Sequence, residues 1–467
     1  MRKSYKCTAV FCYMGIAAVS LLFMVIYGTT NGFWYDEFAQ IIYSGPPNTL
    51  LDTLKIADPT PPLFSLAANL WMRVAPMEER WLLLLPQLAM SVAVVLMGLW
   101  CQKFYGMSGG ILGASLLAFS QMVVEQCGFE FRGYGFYLLF ATLVFLLHGE
   151  RKPWAYTLSL IGLAYCHIFG AAICAFLGVW DALQVLQKKR SWKEFLPYML
   201  AGLVFLPWGL YFFAQAGTGV LSASGDWMRK PTLWDVVKLI TFLCGNHIVV
   251  CLLFVTGCLL AVWELIAQRK SRDELESCIP LLVGVLLIFS VFLYGILRGE
   301  HASLWVKRYF TGLFPCAVFL AVRGGAELLR RRKWKKPVAL TLVLLTILPV
   351  WGLRIIRNEA PFGIYHHREV AAVLQEEKAV EHPQTVLLSS LGQYGRGFTA
   401  LYFPSPPPEG WVQDTTNTNP ETLESVTTLY VDTGFGELSR ELSDYIETNY
   451  QCTEQWPSIA LKRYDRN

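Results

Sequence analysis

Apolar residues fill the first three quarters of the chain in long runs that polar segments separate. The first run, Cys7 to Tyr27, has about twenty residues, the length that an α-helix needs to cross the hydrocarbon core of a bilayer. The runs predict a polytopic α-helical membrane protein with about eleven transmembrane helices, over residues 7–27, 80–102, 109–127, 133–148, 153–169, 170–187, 195–215, 247–267, 278–297, 304–323 and 337–355.

The pattern changes after residue 356, where long apolar runs give way to ordinary mixed sequence. This change divides the chain into a transmembrane domain, residues 1–356, and a small C-terminal α/β domain, residues 357–467. In the second part we predict helices over 367–378 and 437–450, strands over 385–390, 428–432 and 459–464, and a loop over 404–420.

Composition and charge add an orientation. Hydrophobic residues make up 54% of the chain and charged residues only 16%, too few charges for a soluble protein of this size. If the N-terminus is cytoplasmic, the basic clusters of the short loops all lie inside: Arg2–Lys6, Lys103, Arg151–Lys152, Lys188–Arg190, Arg269–Arg272 and Arg330–Lys336. The positive-inside rule then predicts a multi-pass protein of the inner or plasma membrane. The long first loop, residues 28–79, and the C-terminal domain are expected to be extracytoplasmic.

Other signals narrow the class of protein. No small-x-small cleavage site precedes Trp34, so we expect the first run to remain as an anchor. Eleven of the 12 cysteines lie in or beside the membrane region, which argues against a disulfide framework. No CxxC or Cys/His metal spacing occurs, and neither does a Walker A motif or a GxGxxG that follows a strand. We expect the bilayer, rather than a nucleic acid, to be the partner of this chain.

Two acids directly follow the first run, in the segment Trp34-Tyr35-Asp36-Glu37. Carboxylates at a membrane surface are costly to desolvate, so their presence suggests chemistry, an ion or a cationic partner. The alternative for Glu37 is a structural one, an acid at a helix N-terminus that the helix dipole stabilises.

Cations and polar aromatic residues stand at the extracytoplasmic ends of several predicted spans, where we expect them to line one cavity. They are Arg80, Arg132, Tyr134, His167, Lys307, Arg308 and Tyr309. Arginine and lysine suit a membrane-embedded phosphate, and a nearby carboxylate suits a general base that acts on a hydroxyl. The alternatives are interfacial snorkelling of the arginines, a local Glu130–Arg132 ion pair and a buried, hydrogen-bonded His167.

These residues belong to short motifs whose order resembles one known class. The motifs are Trp34–Glu37, Asp58–Phe64, Arg80–Pro86, Glu130–Tyr134, Tyr165–Gly170, Leu206–Trp208 and Lys307–Pro315. Together they resemble the polyprenyl-phosphate-sugar-dependent glycosyltransferases of the GT-C class. The similarity is greatest to family 39, which includes protein O-mannosyltransferases and the bacterial lipid A aminoarabinose transferases.

The resemblance implies a GT-C fold and an inverting transfer of a sugar from a polyprenyl-phosphate donor to an extracytoplasmic hydroxyl of a glycan, lipid or protein. It makes Asp36 the catalytic base and gives Glu37 the task of orienting the acceptor or positioning a cation. Asp58 and Thr60 fall in the D-x-H-P-P-L-Y motif of the family, but Thr60 replaces the histidine and carries no charge. The leaving phosphate is therefore assigned to Arg132, Arg308 and Arg80, with Lys307 beside them. No metal ligands are assigned, and use of a divalent cation stays open.

Two other functions fit parts of this pattern. A flippase or transporter of lipid-linked glycans would also need cations and a membrane cavity, but no acid lies clearly at mid-membrane depth, and Glu264 lies near the cytoplasmic end of its span. A phosphoethanolamine or acyl transferase would need a nucleophile with a metal cluster or an H-x-x-x-x-D motif, neither of which the loops contain.

Overall fold

The computed structural model describes residues 2–30, 32–55, 60–216, 228–267, 275–298, 303–331, 336–356, 365–405, 407–434 and 436–467. Its first part is helical. The helices are α1 (Arg2–Tyr27), α2 (Tyr35–Ser44), α3 (Leu50–Lys55), α4 (Leu63–Met72), α5 (Glu79–Phe119), α6 (Gln121–Gly128), α7 (Tyr134–Leu147), α8 (Pro153–Cys166), α9 (Ile168–Leu186), α10 (Leu196–Ala216), α11 (Leu233–Leu243), α12 (Ile248–Ile266), α13 (Ile279–Arg298), α14 (Phe314–Arg331) and α15 (Lys336–Ile356). Short 3₁₀ turns, Trp192–Glu194 and Lys307–Leu313, precede α10 and α14.

Within these described ranges, seven helical segments are long and apolar enough to cross a membrane: Thr8–Tyr27, Glu79–Phe119, Ile168–Leu186, Trp192–Ala214, Ile248–Ile266, Ile279–Arg298 and Lys307–Leu328. The spans predicted over 133–148 and 153–169 correspond to α7 and α8, which have 14 residues each. The predicted count of eleven therefore stays a prediction. The segment α5 consists of two helices that meet at Gly106, whose φ of 72° is non-helical and one that glycine adopts without strain. The break falls between the predicted spans 80–102 and 109–127.

Small residues allow the membrane helices to approach closely. Helix α5 packs against α1, α7 and α14, and α12 packs against α14. At the α12–α14 crossing, a Cβ placed on Gly257 would overlap the carbonyl oxygen of Leu320, and one on Gly324 would overlap that of Leu253. Such contacts replace the hydrophobic driving force that helices lack inside a lipid phase.

The C-terminal part is a mixed sheet flanked by helices, as the sequence predicted. Its strands are β1 (Thr385–Ser389), β2 (Val412–Gln413), β3 (Thr428–Asp432), β4 (Tyr450–Trp456) and β5 (Leu461–Arg466), in the spatial order β2-β1-β3-β5-β4. Strands β1, β2 and β3 are parallel, and β5 pairs antiparallel with β3 and β4. The helices are α16 (His367–Glu376), α17 (Gly395–Tyr402) and α18 (Arg440–Asn449), with 3₁₀ turns at Ala379–Glu381, Gly392–Tyr394, Pro420–Leu423 and Pro457–Ile459.

The two faces of this sheet pack into different hydrophobic cores, because successive side chains of a strand point to opposite sides. Val386 and Leu388 join a core with Leu442 of α18. Leu387 joins a second core, hereafter the shared core, in which the first loop and the C-terminal domain meet. Its members from the helical part are Phe33, Phe38, Ile41, Phe64, Ala68, Met72, Leu82, Leu83 and Phe131, and those from the C-terminal part include Val370, Leu374, Leu387, Phe398, Trp411, Tyr430 and Leu461.

Candidate active site

Helix α2 carries the acid pair, and Glu37 fixes its first turn. Trp34 is the extended residue before the helix, and its N–H donates to Glu37 Oε2 at 3.0 Å. The other carboxylate oxygen of Glu37, Oε1, accepts the N–H of Phe131 at 2.7 Å. The side chain is 1% exposed, and burial raises the pKa of Glu37 well above its ordinary value, against the effect of both hydrogen bonds. Both oxygens thus serve the protein itself, as the helix N-terminal interpretation of Glu37 expected.

Asp36 points towards two arginines from distant segments. Its Oδ2 lies 2.9 Å from Arg308 Nη2 and 3.1 Å from Arg132 Nη1. Arg132 also donates to the backbone oxygen of Asp36 at 3.3 Å, and the Arg308 guanidinium lies 5.1 Å from the centre of the Trp34 ring. The Asp36 side chain remains 27% exposed, so a substrate can reach it.

Glu130 is a second acid beside this cluster. Its side chain is buried, and Oε2 has no hydrogen-bond partner among the residues that the structure describes. Burial raises the pKa of Glu130 to about 7, although the nearby charges of Arg308 and Arg132 act in the opposite direction. A carboxyl group in this state exchanges its proton near neutral pH.

The three predicted polar aromatic residues come together next to the arginines. His167 lies with its ring centre 5.1 Å from that of Tyr309 and 6.4 Å from that of Tyr134, and it stacks on Tyr137 at 5.0 Å. His167 also caps α9, because its Nδ1 accepts the N–H of Phe169 at 3.1 Å. The histidine therefore has both the structural contact of a buried histidine and a place at the predicted site.

A cavity of about 940 Å³ opens beside the cluster. Its lining combines five cations (Arg229, Lys230, Lys307, Arg308 and Arg354), one acid (Asp235), amide or hydroxyl side chains (Gln121, Gln126, Thr232 and Asn246) and apolar groups (Met122, Met228, Pro231, Phe242, Trp305 and Val306). Such a lining suits an amphiphile with an anionic head group.

Arg308 connects this cavity to Asp36. One of its terminal nitrogens faces the carboxylate, whereas Nε is buried and has no hydrogen-bond partner in the described parts of the chain. A buried guanidinium donor without an acceptor is costly, so the geometry leaves Arg308 able to bind an additional anion.

The structure does not bring every predicted residue to this cluster. The Arg80 side chain, in the first turn of α5, is exposed, and it is the preceding residue, Glu79, that turns inward. Asp58 lies outside the described residues, and Thr60 is half-buried next to that gap.

Several cavity residues were not predicted. Arg354 stands in the last turn of α15, and its position at the end of a predicted span was a signal of the kind that identified Arg308. Gln126 is 2% exposed and its Oε1 has no hydrogen-bond partner among described residues, but an amide inside an apolar run gives no such signal. Among the described side chains, no group of three histidine, cysteine or acidic residues is arranged to hold a metal ion.

Comparison with solved structures identifies the fold. The chain is similar to ArnT from Cupriavidus metallidurans, whose crystal structure contains undecaprenyl phosphate, with a TM-score of 0.58, 10% sequence identity and 97% of each chain covered. The chain therefore has the GT-C fold that its motifs predicted.

A second similarity is to the oligosaccharyltransferase of Archaeoglobus fulgidus, whose structure contains zinc and sulfate. The TM-score is 0.48 and the identity 12%, over 97% of this chain and 73% of the other. No protein-family model matches the chain, and no curated protein sequence matches it either.

Proposed function

We propose that this protein is an integral membrane glycosyltransferase that moves a sugar from a polyprenyl-phosphate donor to an acceptor hydroxyl on the extracytoplasmic side. One observation carries the proposal: Arg308 pairs with Asp36 and also lines a cavity with a mixed cationic and apolar lining. A base for the acceptor and a site for a lipid phosphate are thus one side chain apart.

The donor would occupy the cavity with its phosphate at Arg308 and Lys307. Arg229 and Lys230 face the same space, and Met122, Phe242 and Trp305 offer apolar surface to the prenyl chain. The ArnT structure supports this class of ligand, because a chain of the same fold binds undecaprenyl phosphate. The sugar would then lie between the phosphate and Asp36.

In the reaction, Asp36 would accept the proton of the acceptor hydroxyl while the oxygen of that hydroxyl forms a bond to the anomeric carbon. The bond between that carbon and the phosphate oxygen breaks, and the phosphate leaves on the lipid. A single displacement inverts the anomeric configuration. The charge that develops on the leaving phosphate meets Arg308, a preorganised donor in a partly dry site.

Arg308 would also couple the two halves of the step. Before the donor binds, Arg308 and Arg132 both pair with Asp36. A phosphate in the cavity competes with Asp36 for Arg308, so donor binding frees the carboxylate to meet the acceptor hydroxyl. Each charge in this scheme is met by a named side chain, and no step passes through a metal ion.

The test measures sugar transfer from radiolabelled polyprenyl-phosphate sugars in membranes that contain equal amounts of wild type, Asp36→Asn and Asp52→Asn. Asp52 is the matched control because it is an exposed acid of the same loop, in α3, where it accepts hydrogen bonds from Thr49. We expect transfer by the wild type and the control and its loss in Asp36→Asn, by about 10³-fold or more, since a general base and the charge beside it are removed together.

Equal transfer by Asp36→Asn and wild type would remove Asp36 from the chemistry. Absence of transfer with every donor, together with movement of the labelled lipid across the bilayer, would replace the proposal with a flippase.

A further inference from the structure

The C-terminal domain carries the crevice at which α/β sheets usually bind ligands. Strands β1 and β3 are neighbours, and the connections that follow them run in opposite directions, from β1 to β2 at one edge of the sheet and from β3 to β4 at the other. Ligands of such sheets bind at the carboxyl ends of the strands where this reversal occurs. In this protein Ser390 directly follows β1, and Asp432 ends β3.

The side chain that occupies this crevice comes from the first loop. The Tyr35 hydroxyl donates to Ser390 Oγ at 2.6 Å, and the Tyr35 ring meets Tyr394 edge-on at 6.0 Å. Burial raises the pKa of Tyr35, and the charges of Asp432 and Asp414 add to that rise. Tyr35 is the residue immediately before Asp36.

The neighbours of Asp36 on α2 are held by the same domain. Trp34 stacks on Tyr365 with ring centres 5.6 Å apart and planes 11° apart. One turn further along, Phe38 packs edge-on against His367 at 5.5 Å and Phe398 at 5.9 Å.

Helical geometry then turns Asp36 and Glu37 away from the domain, because each residue advances by about 100° around the axis. Residues 34, 35 and 38 therefore contact the C-terminal domain, whereas the two acids between them face Arg132, Arg308 and Phe131.

Two glycines let the backbones touch at this junction. A Cβ on Gly397 of α17 would overlap the carbonyl oxygen of Phe38, and one on Gly32 would overlap that of Tyr365. Gly32 also has a φ of 68°, in the left-handed region that favours glycine. The backbones of the first loop and the C-terminal domain are thus in direct contact, in addition to the side-chain contacts.

The C-terminal domain also contacts both ends of the first loop. Arg368 of α16 donates to the backbone oxygen of Thr29 at 2.6 Å and forms an ion pair with Glu79. The Tyr402 hydroxyl donates to the same carboxylate of Glu79, which is 6% exposed. The loop between these anchors holds α2, so the C-terminal domain limits its movement at the start, at the end and at the acid pair.

We propose that the C-terminal domain is a positioning element for Asp36, and that the contact between Tyr35 and Ser390 sets the position of this carboxylate. The crevice that could hold a separate ligand is used to hold the catalytic helix. This inference rests on the proposed function, because it gives Asp36 the role of the base. Tyr35 and Ser390 are positioning residues, since they act through Asp36.

The test compares Tyr35→Phe, Ser390→Ala, their double variant and Ser390→Thr with wild type. We expect each of the first three to lower kcat by about 10- to 100-fold, since a shift of about 1 Å at a reacting group has an effect of that order. The KM for the polyprenyl-phosphate sugar should stay within about 2-fold, because Arg308 and the cavity are untouched. The double variant should be no slower than either single one, and Ser390→Thr should keep most of kcat because it keeps the hydroxyl.

The matched control is Tyr450→Phe. Like Ser390→Ala, this change removes a hydroxyl of the C-terminal domain. The Tyr450 hydroxyl donates to the backbone oxygens of Leu423 and Val426 and lies in the core on the face of the sheet away from α2. We expect it to lower thermal stability and to leave kcat at 25 °C unchanged. If the control lowers kcat as much as Ser390→Ala does, a loss of domain stability explains the effect and the inference is wrong.

Hydrogen exchange of residues 35–44 separates this inference from the proposed function. We expect faster exchange in Ser390→Ala and Tyr35→Phe, and wild-type exchange in Ser390→Thr. Transfer that depends on Asp36, with kcat and exchange unchanged in Ser390→Ala and Tyr35→Phe, would overturn the inference alone. Wild-type protein that transfers no sugar would overturn the proposed function, and with it the assignment of Asp36 as a base, even if the exchange results are as expected.

Discussion

Arg308 is the residue on which the site depends most, because its guanidinium has two tasks. It neutralises Asp36 from one side and presents a buried, unsatisfied Nε on the other, within the described residues. The exposed Arg80 has neither contact. The motifs assigned both arginines to the same phosphate, but the Arg308 side chain is directed into the site and the Arg80 side chain towards solvent.

This difference predicts that Arg308→Gln weakens the binding of the lipid phosphate and that Arg80→Gln leaves it nearly unchanged. Arg308→Gln should weaken the binding of sugar-free polyprenyl phosphate by about 10- to 100-fold, because it removes charge-assisted hydrogen bonds of about 1.5–3 kcal/mol. Arg80→Gln should change the affinity by less than about 2-fold. Binding of the labelled lipid to protein in nanodiscs measures both, and equal losses in the two variants would contradict the cavity as the phosphate site.

Glu130 predicts a pH dependence of stability. Its pKa rises from the ordinary 4.5 to about 7 on folding, so the folded protein binds more protons than the unfolded chain between these values. The free energy of unfolding should therefore fall as the pH rises from 5 to 8, by up to about 3 kcal/mol from this group. Glu130→Gln cannot ionise, so thermal unfolding of this variant should be less dependent on pH and, at pH 8, should occur at a higher temperature than in wild type.

The control for this measurement is Glu447→Gln, which changes an exposed acid of α18. It should keep the pH dependence of the wild type. A Glu130→Gln curve that runs parallel to the wild-type curve from pH 5 to 8 would show that Glu130 is ionised throughout this range.

Residue chemistry was the most predictable part of the site. Acids, arginines and aromatic residues at the ends of apolar runs pointed to Asp36, Arg132, Tyr134, His167, Arg308 and Tyr309, which the structure brings together. The direction of a side chain was less predictable. Glu79 and Arg80 are adjacent, and it is Glu79 that turns inward to contact Arg368 and Tyr402 of the C-terminal domain.

At the level of elements, the first turn of α2 depends on Glu37. Glu37→Ala would leave the N–H groups of Trp34 and Phe131 without their acceptor in a buried region. An unsatisfied buried donor costs about 1–3 kcal/mol, so for two donors in a chain of 467 residues we expect the melting temperature to fall by about 2–6 °C. Glu78→Ala is the matched control, because Glu78 precedes α5, is exposed and makes no side-chain capping bond. Equal melting temperatures for Glu37→Ala and wild type would contradict this role.

The α12–α14 crossing gives a second prediction at this scale. Gly257→Ala places a methyl group against the backbone of Leu320 and should separate the helices, with a loss of about 1–3 kcal/mol by overpacking. Gly284→Ala, in α13, adds its Cβ to open space and should be neutral or slightly stabilising. Thermal unfolding in detergent measures both, and the prediction fails if the two alanines have the same effect.

The helices were easier to predict than the strands. Long apolar runs identified the membrane helices because the bilayer sets both their length and their composition. Strand β2 has two residues within a segment predicted as loop, and β4 reads Tyr-Gln-Cys-Thr-Glu-Gln-Trp with most side chains exposed. Such strands exist because a neighbour pairs with them, and their own sequences do not indicate it.

For the whole molecule, the main finding is the shared core. About three hundred residues separate the first loop from the C-terminal domain, and the sequence gives no sign that the two segments interact. Their apolar side chains nevertheless bury one another, with Phe38 and Phe398 at the centre. Nothing in a single sequence indicates which of two apolar faces pack together, so this interface could not be predicted.

The shared core predicts that the two parts depend on each other. A chain that ends at Ile356 should expose Phe38 and release α2, because the ring contacts of Phe38 with His367 and Phe398 and the hydrogen bond of Tyr35 to Ser390 are gone. We expect rapid proteolysis within the first loop and loss of sugar transfer, while the core around Trp100, Phe145 and Phe319, which is built within the membrane helices, keeps the rest folded. Limited proteolysis with mass spectrometry locates the cuts. A truncated chain with a protected first loop and wild-type transfer would mean that α2 holds its position without the C-terminal domain.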